Sequence, residues 1–270
     1  VMFTAEITLP SNKKRRVREL KNREYIDIIK FCENNDLFGL NKLFEELYLD
    51  NDLDIYDRFY ILIYVRMLFV GEKLTFTASD GKNVDVGLDT ILEKLDSNFK
   101  DLDTEIVLDN LTIGLGVPNC TFFQDVDDLL TSVIKFITIN NKRIDFKDLN
   151  VSEMNQVMSR LPASVFKVIN TFLENISREL LDITVVQQND QFGIEEIKVD
   201  MVGNGVMQFI SNIYMVDIKS YYELMYAFFQ KILPGTNTFY DISPIESKIF
   251  LNIHNKHINN ENEQLKRQKQ

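Results

Sequence analysis

The chain has 270 residues, 45% of them apolar, which suits one or two globular domains with a full core and excludes disordered, collagen-like and disulfide-scaffold classes. Its formal charge of −11 is unevenly spread, with +4 over residues 1–30, −17 over 31–255 and +2 over 256–270. An acidic body repels nucleic acid and anionic membrane, so any polyanion contact falls to the short basic ends, and neither is an expected partner.

Residues Phe3 to Leu9 alternate in the strand manner, Pro10-Ser11-Asn12-Lys13 is turn chemistry, and Arg16 to Leu20 can return as a second strand. An N-terminal β-hairpin is therefore expected. Asn22 is placed to cap a helix carrying Tyr25, Ile28, Ile29 and Cys32 at helical spacing, which Asn34-Asn35-Asp36 ends. A second amphipathic helix carries Leu40, Leu43, Phe44, Leu47 and Tyr48. A third, Tyr56 to Val70, is apolar nearly all round and so expected at the centre. Its apolar run is about half a bilayer span and contains Arg66, which favours a buried helix over a membrane anchor.

From Lys73 to Pro118 the period changes to two. Leu74–Thr77 and Val84–Val86 flank an Asp80-Gly81 turn, and Glu105–Leu108 and Leu111–Ile113 follow a short helix near Thr90 to Leu95. The segment Gly114-Leu115-Gly116-Val117-Pro118 is the expected boundary between two lobes. Thr121 and Gln124 read as a capping box opening a helix through Val126, Leu129, Leu130, Val133, Ile134 and Ile137. Helices follow at Ser152 to Leu161 and Ser164 to Leu181, split by Pro162, and a hairpin lies between Ile183 and Met201 around Gln188-Asn189-Asp190. Tyr221, Tyr222, Met225, Phe228, Phe229 and Ile232 form an aromatic helix stopped by Pro234-Gly235. Ser243-Pro244-Ile245-Glu246 opens a last helix that fades into a polar tail, Asn259 to Gln270. The expected fold class is α+β, mainly helical with an N-terminal β-hairpin and small antiparallel sheets. Its divisions are residues 1–118 (hairpin, helices and small sheet), 119–258 (mainly helical lobe) and 259–270 (tail).

Two cysteines, Cys32 and Cys120, allow one bridge at most, and the first residues lack a basic stretch followed by an apolar one. A soluble protein of a reducing, intracellular setting is expected. Asp50, Asp52, Asp54 and Asp57 resemble the start of a calcium loop, but Ile55 stands where a glycine is needed and Ile61 where a bidentate Glu is needed. A solvated acidic loop is the plainer reading, and a metal-dependent enzyme built on Asp50 to Asp57 the less favoured alternative. His254 and His257 lack a third ligand, and neither cysteine lies in a CxxC motif. Gly114-Leu115-Gly116 and Gly203-Asn204-Gly205 lack the remainder of a dinucleotide fingerprint. No cofactor, metal or catalytic residue is expected.

Lys13, Lys14, Arg15, Arg16 and Arg18 make the densest basic cluster, suited to guarding a strand edge or docking on an acidic protein partner. The strings Ile7-Thr8-Leu9-Pro10-Ser11-Asn12-Lys13 and Val17-Arg18-Glu19-Leu20-Lys21-Asn22-Arg23-Glu24-Tyr25 resemble the opening of contractile-tail phage baseplate and assembly proteins. Tyr221-Tyr222-Glu223-Leu224 and Ser243-Pro244-Ile245-Glu246-Ser247-Lys248-Ile249-Phe250 are similar to the late helices of the T4-type baseplate hub family. The resemblance implies a non-enzymatic virion-assembly protein. It would be either a hub component in the tail baseplate or an assembly chaperone acting in the host cytoplasm and absent from the mature particle. Its partners would be other phage tail and baseplate proteins in a multi-subunit assembly. The basic cluster with Tyr221 and Tyr222 are the expected partner contacts.

Overall fold

The computed structural model describes residues 4–50, 52–77, 83–98, 103–108, 111–118, 132–140, 142–189, 193–200, 210–211, 213–214, 218–232 and 238–268. It is α+β and mainly helical, with an N-terminal hairpin and small antiparallel sheets. Strands β1 (Thr4–Thr8) and β2 (Lys14–Arg18) pair antiparallel with Ala5 opposite Val17 and Ile7 opposite Arg15. Ile7 and Leu9 are buried, the inward face expected from alternation, with Val17 beside them on β2 and Leu20 buried just beyond it.

Helices α1 (Asn22–Glu33), α2 (Leu37–Leu47) and α3 (Ile55–Phe69) follow. Asp36 and Asp54 cap the second and third through the N–H groups of Gly39 and Asp57, each at 2.9 Å. Buried side chains surround α3 on all sides, among them Tyr56, Phe59, Ile61, Leu62, Ile63 and Val65, so the helix is central. Three charged residues of α3 are buried, Asp57, Arg58 and Arg66; the Arg58 guanidinium donates to the carbonyls of Leu53 (3.1 Å) and Asp50 (3.0 Å), and that of Arg66 to the carbonyls of Ile213 (2.6 Å), Gly71 and Lys73 (3.4 Å). Burial lowers the pKa of Arg66. Lys248 donates to Val70 O at 3.1 Å, so two cations hold the carbonyl-rich end of α3, where the helix dipole favours positive charge.

Strands β3 (Lys73–Thr77) and β4 (Asn83–Gly87) form a hairpin that runs directly into α4 (Leu88–Asn98), which packs on α3. The expected Asp80-Gly81 turn lies outside the described residues. Strands β5 (Thr104–Leu108), β6 (Leu111–Leu115), β7 (Ile134–Ile139) and β8 (Lys142–Asp145) make a four-stranded antiparallel meander. The expected helix from Thr121 to Ile137 is thus corrected at its end, where residues 134–139 are strand. Four of these six residues are β-branched and a fifth is Phe136, and pairing with β6 lets that preference prevail over the helical spacing of Val133, Ile134 and Ile137. Thr121, Gln124, Val126, Leu129 and Leu130 lie outside the described residues. The sheet takes two strands from each side of Pro118, the expected lobe boundary.

A 3₁₀ turn (Phe146–Asp148) leads to α5 (Val151–Arg160), which opens on a capping box between Asn150 and Glu153. Helix α6 (Ala163–Leu181) buries Val165, Ile169 and Phe172, and strands β9 (Asp182–Asn189) and β10 (Gly193–Asp200) pair after it, with β9 against α4 and α6. The chain continues through α7 (Ile218–Lys231), the short α8 (Thr238–Asp241) and the long α9 (Pro244–Gln268). Helix therefore persists well beyond Asn259, where the sequence suggested a fading tail. Pro234-Gly235, the expected stop of α7, lies outside the described residues. Among the described residues no helix is long and apolar enough to cross a membrane.

Gly114 faces Phe136 across the β6–β7 ladder, and a Cβ there would sit 2.1 Å from the ring, whose face lies 3.8 Å from the Arg143 guanidinium carbon. At Gly116 an added Cβ meets instead the flexible Lys135 stem at 2.7 Å and an Asp103 carboxylate oxygen at 2.9 Å. Gly114→Ala should destabilise the protein by about 1–3 kcal/mol through overpacking, and Gly116→Ala by clearly less. Chemical denaturation of the two variants checks this ranking; equal losses would mean that the ring moves aside freely.

Candidate functional site

The Leu-Pro-Ser hairpin owes its shape to backbone geometry and to one buried carboxylate. Pro10 occupies the first corner of a turn closed by Asn12 N–H to Leu9 O at 2.8 Å, and Asn12 then takes the left-handed conformation at φ 63°. Leu9 N–H donates to Lys13 O at 2.9 Å, completing the three-residue hairpin loop in which Asn replaces the more usual glycine. Ser11 donates through its N–H (3.1 Å) and its hydroxyl (2.6 Å) to the carboxylate of Asp57, which has no exposed surface. The first turn of α3 thereby holds the tip of the hairpin.

The acidic loop before α3 extends the same contact. Lys13 Nζ donates to Asp52 O at 2.6 Å, and Arg15 meets Asp50 at 3.0 Å and Asp52 at 2.5 Å. Within the acidic cluster the carboxylates of Asp50 and Asp52 stay mostly exposed and face the hairpin cations, Asp57 holds Ser11, and Asp54 caps α3. Among the described residues no three metal-ligating side chains converge. Burial raises the pKa of Asp54 against the opposing effect of its bond from Asp57 N–H.

The next motif, Val17-Arg18-Glu19-Leu20, works through a forked pair. Arg18 donates to both carboxylate oxygens of Glu24 (2.6 and 3.0 Å) and to Glu19 O (2.9 Å), while its guanidinium lies 5.9 Å from the centre of the Tyr48 ring. The Glu24 bond raises the pKa of Arg18. Glu24 also accepts from Lys21 N–H at 2.9 Å, so the start of α1 is closed from inside the helix. Asn22 is accordingly not the cap, and Lys21 stands in that place.

Asn22 is buried in the first turn and reaches the end of the chain. Its N–H donates to Ile242 O (2.8 Å), and its side-chain amide donates to Phe239 O (2.8 Å) and Ser247 Oγ (2.7 Å). Tyr221 returns a bond from its hydroxyl to Asn22 O at 3.1 Å. Arg23 pairs with Asp241, Tyr25 donates to Tyr214 O (2.7 Å), and the Tyr25 and Tyr221 rings lie 5.9 Å apart. Phe239 sits 5.9 Å from Tyr221 and 5.3 Å from Phe228, which makes the junction an aromatic cluster around one amide. Ser243 and Glu246 form the expected capping box of α9, with Ser243 N–H to Glu246 at 2.8 Å.

The expected partner contacts divide once placed in the fold. Lys13, Arg15 and Arg18 are engaged by Asp52, Asp50 and Glu24, and Lys14 lies 4.0 Å from Glu6 on the exposed side. Arg16 is exposed and makes no ion pair among the described residues. Tyr221 belongs to the buried junction and has no surface to offer, whereas Tyr222 is 43% exposed. Cys32 is buried, which raises its thiol pKa, and His257 lies 3.5 Å from Glu261 in an exposed pair. Cys120, Gly203 and Gly205 lie outside the described residues. Sequence patterning missed Asn22, Phe239 and Ser247 as a connected set, since their partners are more than 200 positions apart.

The family model described as T4 bacteriophage base plate protein matches residues 2–230. The chain belongs to that family. No curated protein and no solved structure matches it. The family match contains the Leu-Pro-Ser hairpin, the Arg18–Glu24 fork and most of α7. Helices α8 and α9, with the Ser-Pro-Ile-Glu motif, lie beyond it and pack back on Asn22.

The raised pKa of Asp54 sets a pH dependence. Between its unfolded and folded values the folded state binds more protons, so this group's contribution to stability falls as pH rises through that window. Asp54→Asn keeps a capping oxygen and removes the titration. The stability of the variant relative to the parent should therefore increase from acid pH to a plateau above the carboxylate range, as read by melting at a series of pH values. A constant difference would contradict the buried-cap account.

Proposed function

We propose that this base plate family protein is a non-enzymatic structural component of the baseplate hub, built to hold other tail and baseplate proteins through its surfaces. Family membership supports a place in the phage tail, and the distribution of exposed apolar side chains carries the finer reading. Six of the eleven large apolar residues exposed among the described residues lie on α7 and α9: Tyr222, Tyr226, Ile249, Phe250, Ile253 and Ile258. Aromatic anchors on rigid helices are the residue type that dominates protein interfaces. Arg16 and Lys14, on the outer face of the hairpin, are the basic groups left for an acidic partner.

The test is assembly with other tail and baseplate proteins. Tyr226, 66% exposed, and Tyr222 can be changed together to Ala with little effect on melting, because they are not core residues. The pair variant should lose most of its association with tail proteins, and Arg16→Glu should weaken it further. Undiminished assembly by both variants would reject these surfaces as the docking sites. Mass spectrometry of purified mature particles should find the chain at fixed copy number. Its absence there, with presence in assembly intermediates, would replace the hub component by an assembly chaperone.

A further inference from the structure

Helix α9 leaves the body of the protein a little before the middle of its length. Among the described residues Leu251 is its last buried one, and Asn255 takes the final side-chain bond to the body, from Lys231 Nζ at 3.1 Å. Residues 255–264 are exposed on every side, while the helical backbone runs on to Gln268, about 20 Å beyond Asn255 at 1.5 Å per residue. This stretch contains four asparagines, a poor helix former, and an unsupported helix of this length is marginal in water. A neighbour along one face would supply what the composition lacks.

The sequence of the stretch specifies such a face. Leu251, Ile258 and Leu265 recur at intervals of seven, and Asn255 and Asn262 follow the first two by four. Assigning the apolar residues to position d of a heptad puts the two asparagines at position a, where Asn favours a parallel, in-register pair of strands. The other assignment, with the apolar residues at a, would put the Glu261 carboxylate in the seam, at the cost of burying a charge. In the first register Glu261 falls at g and Lys266 at the following e. In a parallel pair these are the positions that meet across the interface with opposite charge. Among the described residues Glu261 lies 3.5 Å from the exposed imidazole of His257, a contact of little strength.

We propose that the protruding part of α9 pairs with the same segment of a second copy of this chain. The two helices run parallel and in register beyond Asn255, which Lys231 of the body holds, with Ile258 and Leu265 at d, Asn262 at a, and Glu261 of each copy opposite Lys266 of the other. The body that carries the helix stays outside the contact, so the pairing joins two otherwise separate protomers at one end. Ile258 supports this directly, being 41% exposed on the stripe that Leu251 begins within the body.

Sedimentation equilibrium of the full chain over a concentration series should show a monomer–dimer equilibrium. Ile258→Asp with Leu265→Asp should abolish the dimer without moving the melting temperature of the body. Glu261→Lys and Lys266→Glu should each weaken the dimer at least about threefold at low salt, and the two together should restore it, because the charges are exchanged and not lost. A chain that stays monomeric at all concentrations overturns the proposal. So does a dimer indifferent to the Asp variants, or a double charge exchange no better than its parents. Capture of a different baseplate protein through Ile258 by a chain that does not self-associate would also overturn it.

Discussion

A buried amide lies at the centre of the contacts that hold the two ends of this chain together. The side chain of Asn22 has no exposed surface, and a primary amide in such a place must find hydrogen-bond partners or cost several kcal/mol. Its donors are met by Phe239 O and Ser247 Oγ, while its Oδ1 has no donor among the described residues. Removing the partners would therefore leave the whole amide stranded in an aromatic cluster. The position of α8 and the start of α9 is fixed by α1, and α7 is fixed in turn through Tyr221. Segments far apart in sequence thus behave as one unit, with the exposed helical surfaces held rigidly to the hairpin end.

Charge is organised on the same principle of local satisfaction. The basic hairpin and the acidic loop before α3 neutralise one another in place, through Lys13, Arg15, Asp50 and Asp52. Most of these pairs are exposed, so their value lies in orienting the hairpin more than in stability. The firm part is the buried Asp57 carboxylate under Ser11, which explains why a proline and a serine stand together at the turn. What remains outward of the basic cluster is Arg16 and Lys14. The −11 of the whole chain then describes an acidic surface with a small basic ridge at one end and a basic helix end at the other.

Local features of this fold were legible in the sequence where local physics decides them. The hairpin alternation, the all-round apolar α3 and the Ser243–Glu246 box each follow from a few neighbouring residues. Strand β7 was not legible as such, because Val133, Ile134 and Ile137 satisfy helical spacing as well as strand pairing, and only the edge of β6 decides between them. Asn22 read as a cap because Asn is a good one. Its true partners lie at the other end of the chain, and no short-range pattern encodes them. Tyr221 shows the same limit from the opposite side: an aromatic doublet announces an anchor without saying which ring faces inward.

Asn22 and Ser247 couple the first helix to the last two. A double-mutant cycle with Asn22→Ala and Ser247→Ala, followed by chemical denaturation of the full chain, measures that coupling directly. An interaction free energy of roughly 0.5–3 kcal/mol is expected for groups sharing one buried network. Losses that add to within a few tenths of a kcal/mol would show that the two ends fold without reference to this bond, and would contradict the account.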